Sequence, residues 1–252
     1  MSTISLFAVD EPQTTCREDA FLVERFDDGS VWRLTVASVI PPENARINYK
    51  QFRSNIFSQE GDPRKYFLKQ KDYIKFGLQT QEPRRVLMVI FEFDKNRKLV
   101  VKVATGNVTI EAFTYENFAS RPDFENIKSD IEEFLSLPQH YHINWKYTSE
   151  QGEQHWKTEV TSARRLISAT LDMFSRAVSQ YAHDNGILTL KRTRWAGLRI
   201  ELHNEAKFRA PLRKATSFVN ILNITAFIEG KPFPYPYERL QDIFEDTLLS
   251  KI

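Results

Sequence analysis

The sequence lacks several features that define whole classes of protein. With Cys16 as its one cysteine in 252 residues, it excludes an intrachain disulfide and a zinc centre built from several cysteines. The longest apolar stretches, such as Val86 to Phe91, are far shorter than a bilayer span. The start MSTISLFAVD has neither the basic region nor the cleavage site of a secretory signal. We therefore expect a cytoplasmic protein that does not associate with a membrane.

The charge balance neither requires nor excludes a nucleic-acid partner. A net charge of +2 is mild, and nucleic-acid binding needs basic residues gathered on one face. Local basic clusters do occur, and each is more typical of an ordinary solvated surface. They lie at Arg84 and Arg85, at Arg164 and Arg165, at Lys191, Arg192 and Arg194, and at Lys207, Arg209, Arg213 and Lys214. With 41% hydrophobic residues, the chain can bury a sizeable core.

The first half of the chain reads as β-structure. Two β-runs between Phe21 and Val39 flank an Asp-Gly step at Asp28 and Gly29, which is a strong hairpin signal, so a sheet starts directly after residue 20. Strands are again predicted at 86–93, 99–103 and 107–113, while the segment 40–81 has weak periodicity and is expected to wrap the surface. This order indicates an antiparallel meander.

The second half changes to helical spacing. Ser162 can cap a helix that ends at Asn185 and Gly186, with its apolar residues on one face. A second helix fits 214–228, stopped by Gly230, and a third fits 237–251. Strands first and helices later predict an α+β fold, with helices packed on one side of a largely antiparallel sheet.

These elements, together with an N-terminal acidic cluster, resemble the catalytic RNB domain of the RNase II and RNase R family of 3′ to 5′ exoribonucleases. That family carries an aspartate, a second one six residues later, and two more before an alanine. The matching positions here are Asp10, Cys16, Glu18 and Asp19, followed by Ala20. The segments RRVLMVIFEFD and FTYENF resemble two later segments of the family. The resemblance implies an RNB-like fold.

Near the C-terminus, RAPLRKATSFVNI resembles the arginine motif of the same family. Pro211, Arg213 and Lys214 match that motif, whereas Arg209, Ala210, Ala215, Ser217 and Ile221 stand where the family prefers other residues. The interval between Arg192 and this motif is also shorter than in the family. We therefore predict one shortened RNB-like domain over residues 1–252, without flanking cold-shock or S1 modules.

The resemblance assigns roles to these residues. Asp10, Glu18, Asp19 and Arg213 would form the degenerate catalytic site, with Asp10 and Asp19 left to hold a single Mg²⁺ weakly or not at all. Glu18 and Cys16 replace aspartates: the glutamate is one methylene longer, and the thiol is a soft donor that Mg²⁺ avoids. RNA contacts would come from Phe57, Arg192, Arg209 and Lys214. Phe57 adjoins Ile56, where the family has a stacking aromatic.

Three functions stay open on the sequence alone. The first is a catalytically impaired RNB-like domain that acts as an RNA-binding or protein-interaction module. The second is an active, divergent Mg²⁺-dependent exoribonuclease that still uses Asp10, Glu18 and Asp19. The third is a protein scaffold whose former RNA channel is filled by side chains. No small-molecule cofactor is expected for any of them.

Overall fold

The structure is a computed structural model that describes residues 4–14, 16–25, 31–42, 77–93, 98–136, 161–187, 189–193, 197–201 and 214–236. Contacts divide the chain into two compact units. The first comprises residues 1–39 and 77–178, and the second comprises residues 40–76 and 179–252. The single domain over residues 1–252 stays a prediction.

Five strands of the first unit close into a barrel in the order β1-β2-β3-β4-β5. All neighbouring pairs are antiparallel except β1 and β5, which run parallel and complete the closure. The α+β fold with a largely antiparallel sheet is thus confirmed. The strands are β1 (Ile4–Asp10), β2 (Asp19–Arg25), β3 (Val31–Val39), β4 (Arg84–Phe93) and β5 (Leu99–Thr114).

Aromatic residues join one face of the barrel to two helices, α1 (Tyr115–Ala119) and α2 (Phe124–Ser136). Phe118 of α1 is fully buried, and its ring lies 5.7–5.9 Å from the rings of four other phenylalanines. These are Phe7, Phe21, Phe113 and Phe124. Since side chains alternate along a strand, the opposite face lines the barrel interior. Buried small and aliphatic residues form it, among them Leu6, Ala8, Ala20 and Ala37.

The long helix α3 (Ser162–Asp184) confirms the predicted helix, with a different N-cap. The side chain of Thr161, not Ser162, accepts a hydrogen bond from the backbone N–H of Arg164. At the other end, Gly186 adopts φ 65° and Ile187 N–H donates to the carbonyl of Ala182 at 2.8 Å. This left-handed glycine cap is the ending that the Asn-Gly pair predicts.

The second unit contains the hairpin of β6 (Thr189–Thr193) and β7 (Gly197–Glu201), followed by α4 (Lys214–Ile228). The predicted helix 214–228 is confirmed, and Gly230 ends it with φ 63°. Its described side chains from Val219 to Ala226 are buried on every side rather than on one face. Among them, the Asn223 side chain donates to the carbonyl of Tyr235 at 2.8 Å and accepts from its N–H at 3.0 Å.

Two sequence predictions about the first unit were wrong, and one of its helices was not predicted. The sheet begins with β1, before the acidic cluster rather than after it. Residues 99–103 and 107–113 belong to one continuous strand, β5, whose first part pairs with β4 and whose last part pairs with β1. Gly106 lies within this strand. A Cβ there would lie 2.5 Å from Met88 Cε, so the glycine makes room for that side chain. Helix α2 had no counterpart in the prediction.

Other predictions cannot be compared with the structure. The hairpin pairing of β2 with β3 is confirmed, while its turn at Asp28 and Gly29 lies outside the described residues. So do most of the segment 40–81 and the helix predicted for 237–251. None of the helices in the described ranges is long and apolar enough to cross a membrane.

Candidate functional site

The acidic residues of the N-terminal cluster meet at one end of the barrel. Asp10 is the last residue of β1 and pairs with Thr114 at the end of β5. Asp19 is the first residue of β2 and pairs with Ser38 of β3. Since β1 and β2 are antiparallel, the end of one strand adjoins the start of the next. We call the four residues Asp10, Glu11, Glu18 and Asp19 the acidic rim.

The rim residues differ in their exposure. Asp10, Glu11 and Asp19 are half-buried, whereas Glu18 is only 5% exposed. Asp10, Glu18 and Asp19 all make interactions within the protein. Glu11 was not among the predicted site residues. In the sequence, Glu11 is marked only by its place beside Asp10. Its ion-pair partner Arg164 is 153 positions away, so no local pattern shows the contact.

The segment between the two strands is fixed by backbone hydrogen bonds. Leu78 N–H donates to the Arg17 carbonyl at 2.7 Å, and Val39 N–H donates to the Glu18 carbonyl at 2.8 Å. Cys16 is buried, and its Sγ lies so close to Gly77 that a Cβ on that glycine would be 2.7 Å away. The residue at the substituted aspartate position therefore packs against Gly77.

A cation from α3 reaches the rim. The guanidinium of Arg164, in the first turn of α3, forms an ion pair with Glu11 Oε1 and lies 4.5 Å from the centre of the Tyr115 ring. The Arg164 side chain is only 12% exposed, so water screens this contact less than at an open surface. Tyr115 is placed by α1, which begins where β5 ends and is capped by Thr114. Three separate elements thus converge beside the rim.

Several charged groups near the phenol of Tyr115 affect its pKa. Burial raises its pKa to about 12, and the negative charges of Asp10, Glu11 and Asp19 act in the same direction. The positive charge of Arg164 acts in the opposite direction and does not cancel them. Burial and nearby carboxylates both disfavour a phenolate. Tyr115 therefore remains a neutral hydroxyl at physiological pH, within electrostatic reach of three rim carboxylates and one guanidinium.

The rim does not fit a magnesium centre built from several carboxylates. Such a centre needs oxygen ligands in near-octahedral geometry around a small, hard ion. Here Glu11 is paired with Arg164, and the residue at position 16 is a thiol held against Gly77. Across the described ranges, no three Asp, Glu, His or Cys side chains are grouped so that they could hold a metal ion. Single-cation binding by Asp10 and Asp19 stays a prediction.

The remaining predicted site residues are not described at the side-chain level. Phe57, Arg209 and Arg213 lie outside the described residues. The backbone places Arg192 in β6 and Lys214 at the first position of α4, both within the second unit. Their roles in RNA contact, and that of Arg213 at the site, stay predictions.

Comparison with known proteins relates this chain to others through its fold. No family model matches the sequence. A search of curated proteins finds no match either. The structure is similar to yeast Ssd1, a pseudonuclease, with a TM-score of 0.60 and 12% identity over 97% of this chain and 42% of that chain. It is also similar to an active-site mutant of the Dss1 exoribonuclease from Candida glabrata, with a TM-score of 0.54 and 10% identity over 96% of this chain and 44% of that chain.

These similarities decide the fold and leave the activity open. The chain spans less than half the length of either protein, and identities of 10–12% carry no information on individual site residues. The similar structures include both a pseudonuclease and an exoribonuclease. The predicted fold is thus confirmed as RNB-like.

Proposed function

We propose that this chain is an RNB-like domain without effective nuclease activity that binds single-stranded RNA in the cytoplasm. The loss of activity is inferred from the side chains at the acidic rim. Arg164 neutralises Glu11, and the thiol of Cys16 packs on Gly77 at a position where the resemblance expects an aspartate. The thiol supplies no oxygen ligand at one matching position, and the ion pair occupies the Glu11 carboxylate beside another.

Phosphodiester hydrolysis with metal ions has requirements that this rim does not meet. Bound Mg²⁺ would supply an activated water and stabilise the leaving oxygen, and both depend on ligands held in strict geometry. Asp10 and Asp19 are the carboxylates left at matching positions, while Glu18 is longer and almost fully buried. These residues support at most the weak binding of one cation. The active, divergent exoribonuclease is therefore the less favoured alternative.

Support for RNA as the ligand comes from the fold and from the basic residues. One similar structure belongs to an exoribonuclease, a protein that acts on RNA. The sequence holds Arg209, Arg213 and Lys214 within six positions, at the arginine motif of the RNB resemblance. Binding through phosphate contacts needs positive charge and no metal. The domain can therefore still bind RNA after losing its catalytic activity.

Salt dependence of RNA affinity tests this function. In EDTA, the wild type is expected to bind a labelled single-stranded RNA with an affinity that falls steeply as salt rises. Changing Arg209, Arg213 and Lys214 together to glutamine should weaken binding and reduce the slope of log K against log salt by about 2, since each phosphate contact contributes about 0.7. Fluorescence anisotropy at several salt concentrations measures both quantities.

A matched control removes the same charge elsewhere. Lys128, Arg176 and Lys231 each pair with a carboxylate close by in sequence, and changing all three to glutamine lowers the net charge equally. This variant should keep the wild-type slope to within about 0.5, because its residues make no phosphate contacts. Equal losses in both variants, or no salt-dependent binding in the wild type, would contradict RNA binding and favour the protein scaffold.

A further inference from the structure

Arg164 holds a position that the RNB resemblance does not assign. It lies in the first turn of α3, and its backbone N–H donates a hydrogen bond to Thr161 Oγ1, which fixes that turn beside the rim. Its guanidinium contacts the Glu11 carboxylate and the face of the Tyr115 ring at the same time. A guanidinium that pairs with a carboxylate and lies over an aromatic ring is held in both direction and distance.

Carboxylates lie near the ring that this guanidinium covers. Tyr115, which it covers, is within electrostatic reach of Asp10 and Asp19 as well as Glu11. Carboxylates near one end of a barrel repel one another less when positive charge lies beside them. In the described part of the site, Arg164 is the cation that meets both Glu11 and Tyr115. Because its side chain is mostly buried, its charge acts on the rim with little screening.

We propose that Arg164, through its ion pair with Glu11, is a built-in counter-ion at the acidic rim and hinders the binding of divalent cations there. The inference rests on the proposed function, since it explains how the rim keeps its carboxylates without a metal. A guanidinium keeps its charge across the physiological pH range. The positive charge of Arg164 therefore takes the place of a metal ion permanently. A divalent cation entering the rim would meet like charge at close range and would have to displace the Glu11 contact.

Metal binding in the absence of RNA tests this role. Mn²⁺ titrations followed by electron paramagnetic resonance should show wild-type affinity at the rim weaker than about 1 mM. Changing Arg164 to methionine, which keeps an apolar side chain over Tyr115 and removes the charge, should strengthen Mn²⁺ binding by at least about tenfold. Mn²⁺ should then raise the melting temperature of Arg164→Met and leave that of the wild type unchanged.

Three further variants test whether the charge of Arg164 is responsible. Arg164→Lys retains the positive charge without the planar fork, and it should keep Mn²⁺ out as the wild type does. Arg176→Gln removes a charge from the same helix, where Arg176 pairs with Asp172, and it should bind no more Mn²⁺ than the wild type. Adding Glu11→Gln to Arg164→Met should abolish most of the gain, because a rim ligand is lost.

The outcomes also distinguish this inference from the proposed function. Tight Mn²⁺ binding to the rim of the wild type would overturn the counter-ion role whether or not RNA is cleaved, and this holds even if Arg164→Met does not fold. Equal Mn²⁺ affinity in folded Arg164→Met and wild type would overturn it as well. Metal-dependent RNA cleavage by the wild type would overturn the proposed function.

Discussion

Replacing Phe118 with alanine is expected to lower the free energy of unfolding by about 3–5 kcal/mol. The side chain is 0% exposed, and its ring meets those of Phe7, Phe21, Phe113 and Phe124 at centroid distances of 5.7–5.9 Å. The change removes apolar surface and leaves a cavity between α1 and the barrel. Edge-to-face contacts between the rings add to that cost. Urea unfolding followed by far-UV circular dichroism measures the difference.

A control in the same unit separates burial from size. Ile4, the first residue of β1, is a large apolar residue with 38% of its surface exposed. Ile4→Ala should cost less than about 1 kcal/mol, because little apolar surface is lost there. If Phe118→Ala costs no more than Ile4→Ala, the phenylalanine cluster does not anchor α1, and the placement of Tyr115 beside the rim loses its support.

The second large effect is expected at the contact between Cys16 and Gly77. A Cβ at residue 77 would lie 2.7 Å from Cys16 Sγ and 3.2 Å from the Arg17 carbonyl oxygen. Because Leu78 is hydrogen-bonded to that same carbonyl, the two segments cannot separate freely. Gly77→Ala should therefore destabilise the first unit by about 1–3 kcal/mol, the usual cost of overpacking. Thermal unfolding followed by circular dichroism detects this loss.

A double-mutant cycle shows whether the thiol of Cys16 causes the loss of stability in Gly77→Ala. Removing Sγ by Cys16→Ala relieves the shorter contact, so Gly77→Ala should cost at least about 0.5 kcal/mol less in the Cys16→Ala background. Additive effects within experimental error would mean that the thiol does not lie against Gly77. The Cys16 side chain could then face the rim. That result would weaken the argument that position 16 has lost its role as a metal ligand.

Local signals in the sequence predicted the elements that depend on local physics. Helix α3 ends where Asn185 and Gly186 stand, because only a glycine takes up φ 65° without strain. Helix α4 likewise ends before Gly230. The pairing of β2 with β3 was predicted from an Asp-Gly step between two apolar runs. In each case the residues that decide the structure lie within a few positions of one another.

Long-range contacts were not predictable in the same way. The strand β1 pairs in parallel with β5, about a hundred positions later, and no local pattern marks such a partner. The sequence analysis predicted two strands where β5 is continuous, and the side chain of Met88 opposite Gly106 explains the glycine within that strand. The fold class was predictable from the order of elements, whereas closure of the sheet into a barrel was not.

The candidate site shows the same division. Asp10, Glu18 and Asp19 could be found from their spacing, because that spacing matches the acidic motif of the family that the chain resembles. Glu11 and Arg164 could not, since their ion pair joins residues 153 positions apart. Arg164 was noticed only as part of a basic pair with Arg165. Its meaning depends on Tyr115 and on the fold that brings α1 and α3 to the same end of the barrel.

The most direct test of the central claim is metal-dependent cleavage of RNA by the purified protein. A labelled single-stranded RNA is incubated with the wild type and with Asp19→Asn, in Mg²⁺ and separately in Mn²⁺, and the products are separated on a denaturing gel. We predict full-length RNA in every reaction, with no difference between the two proteins. Release of mononucleotides that requires the metal and disappears in Asp19→Asn would contradict the claim that this RNB-like domain has lost its nuclease chemistry.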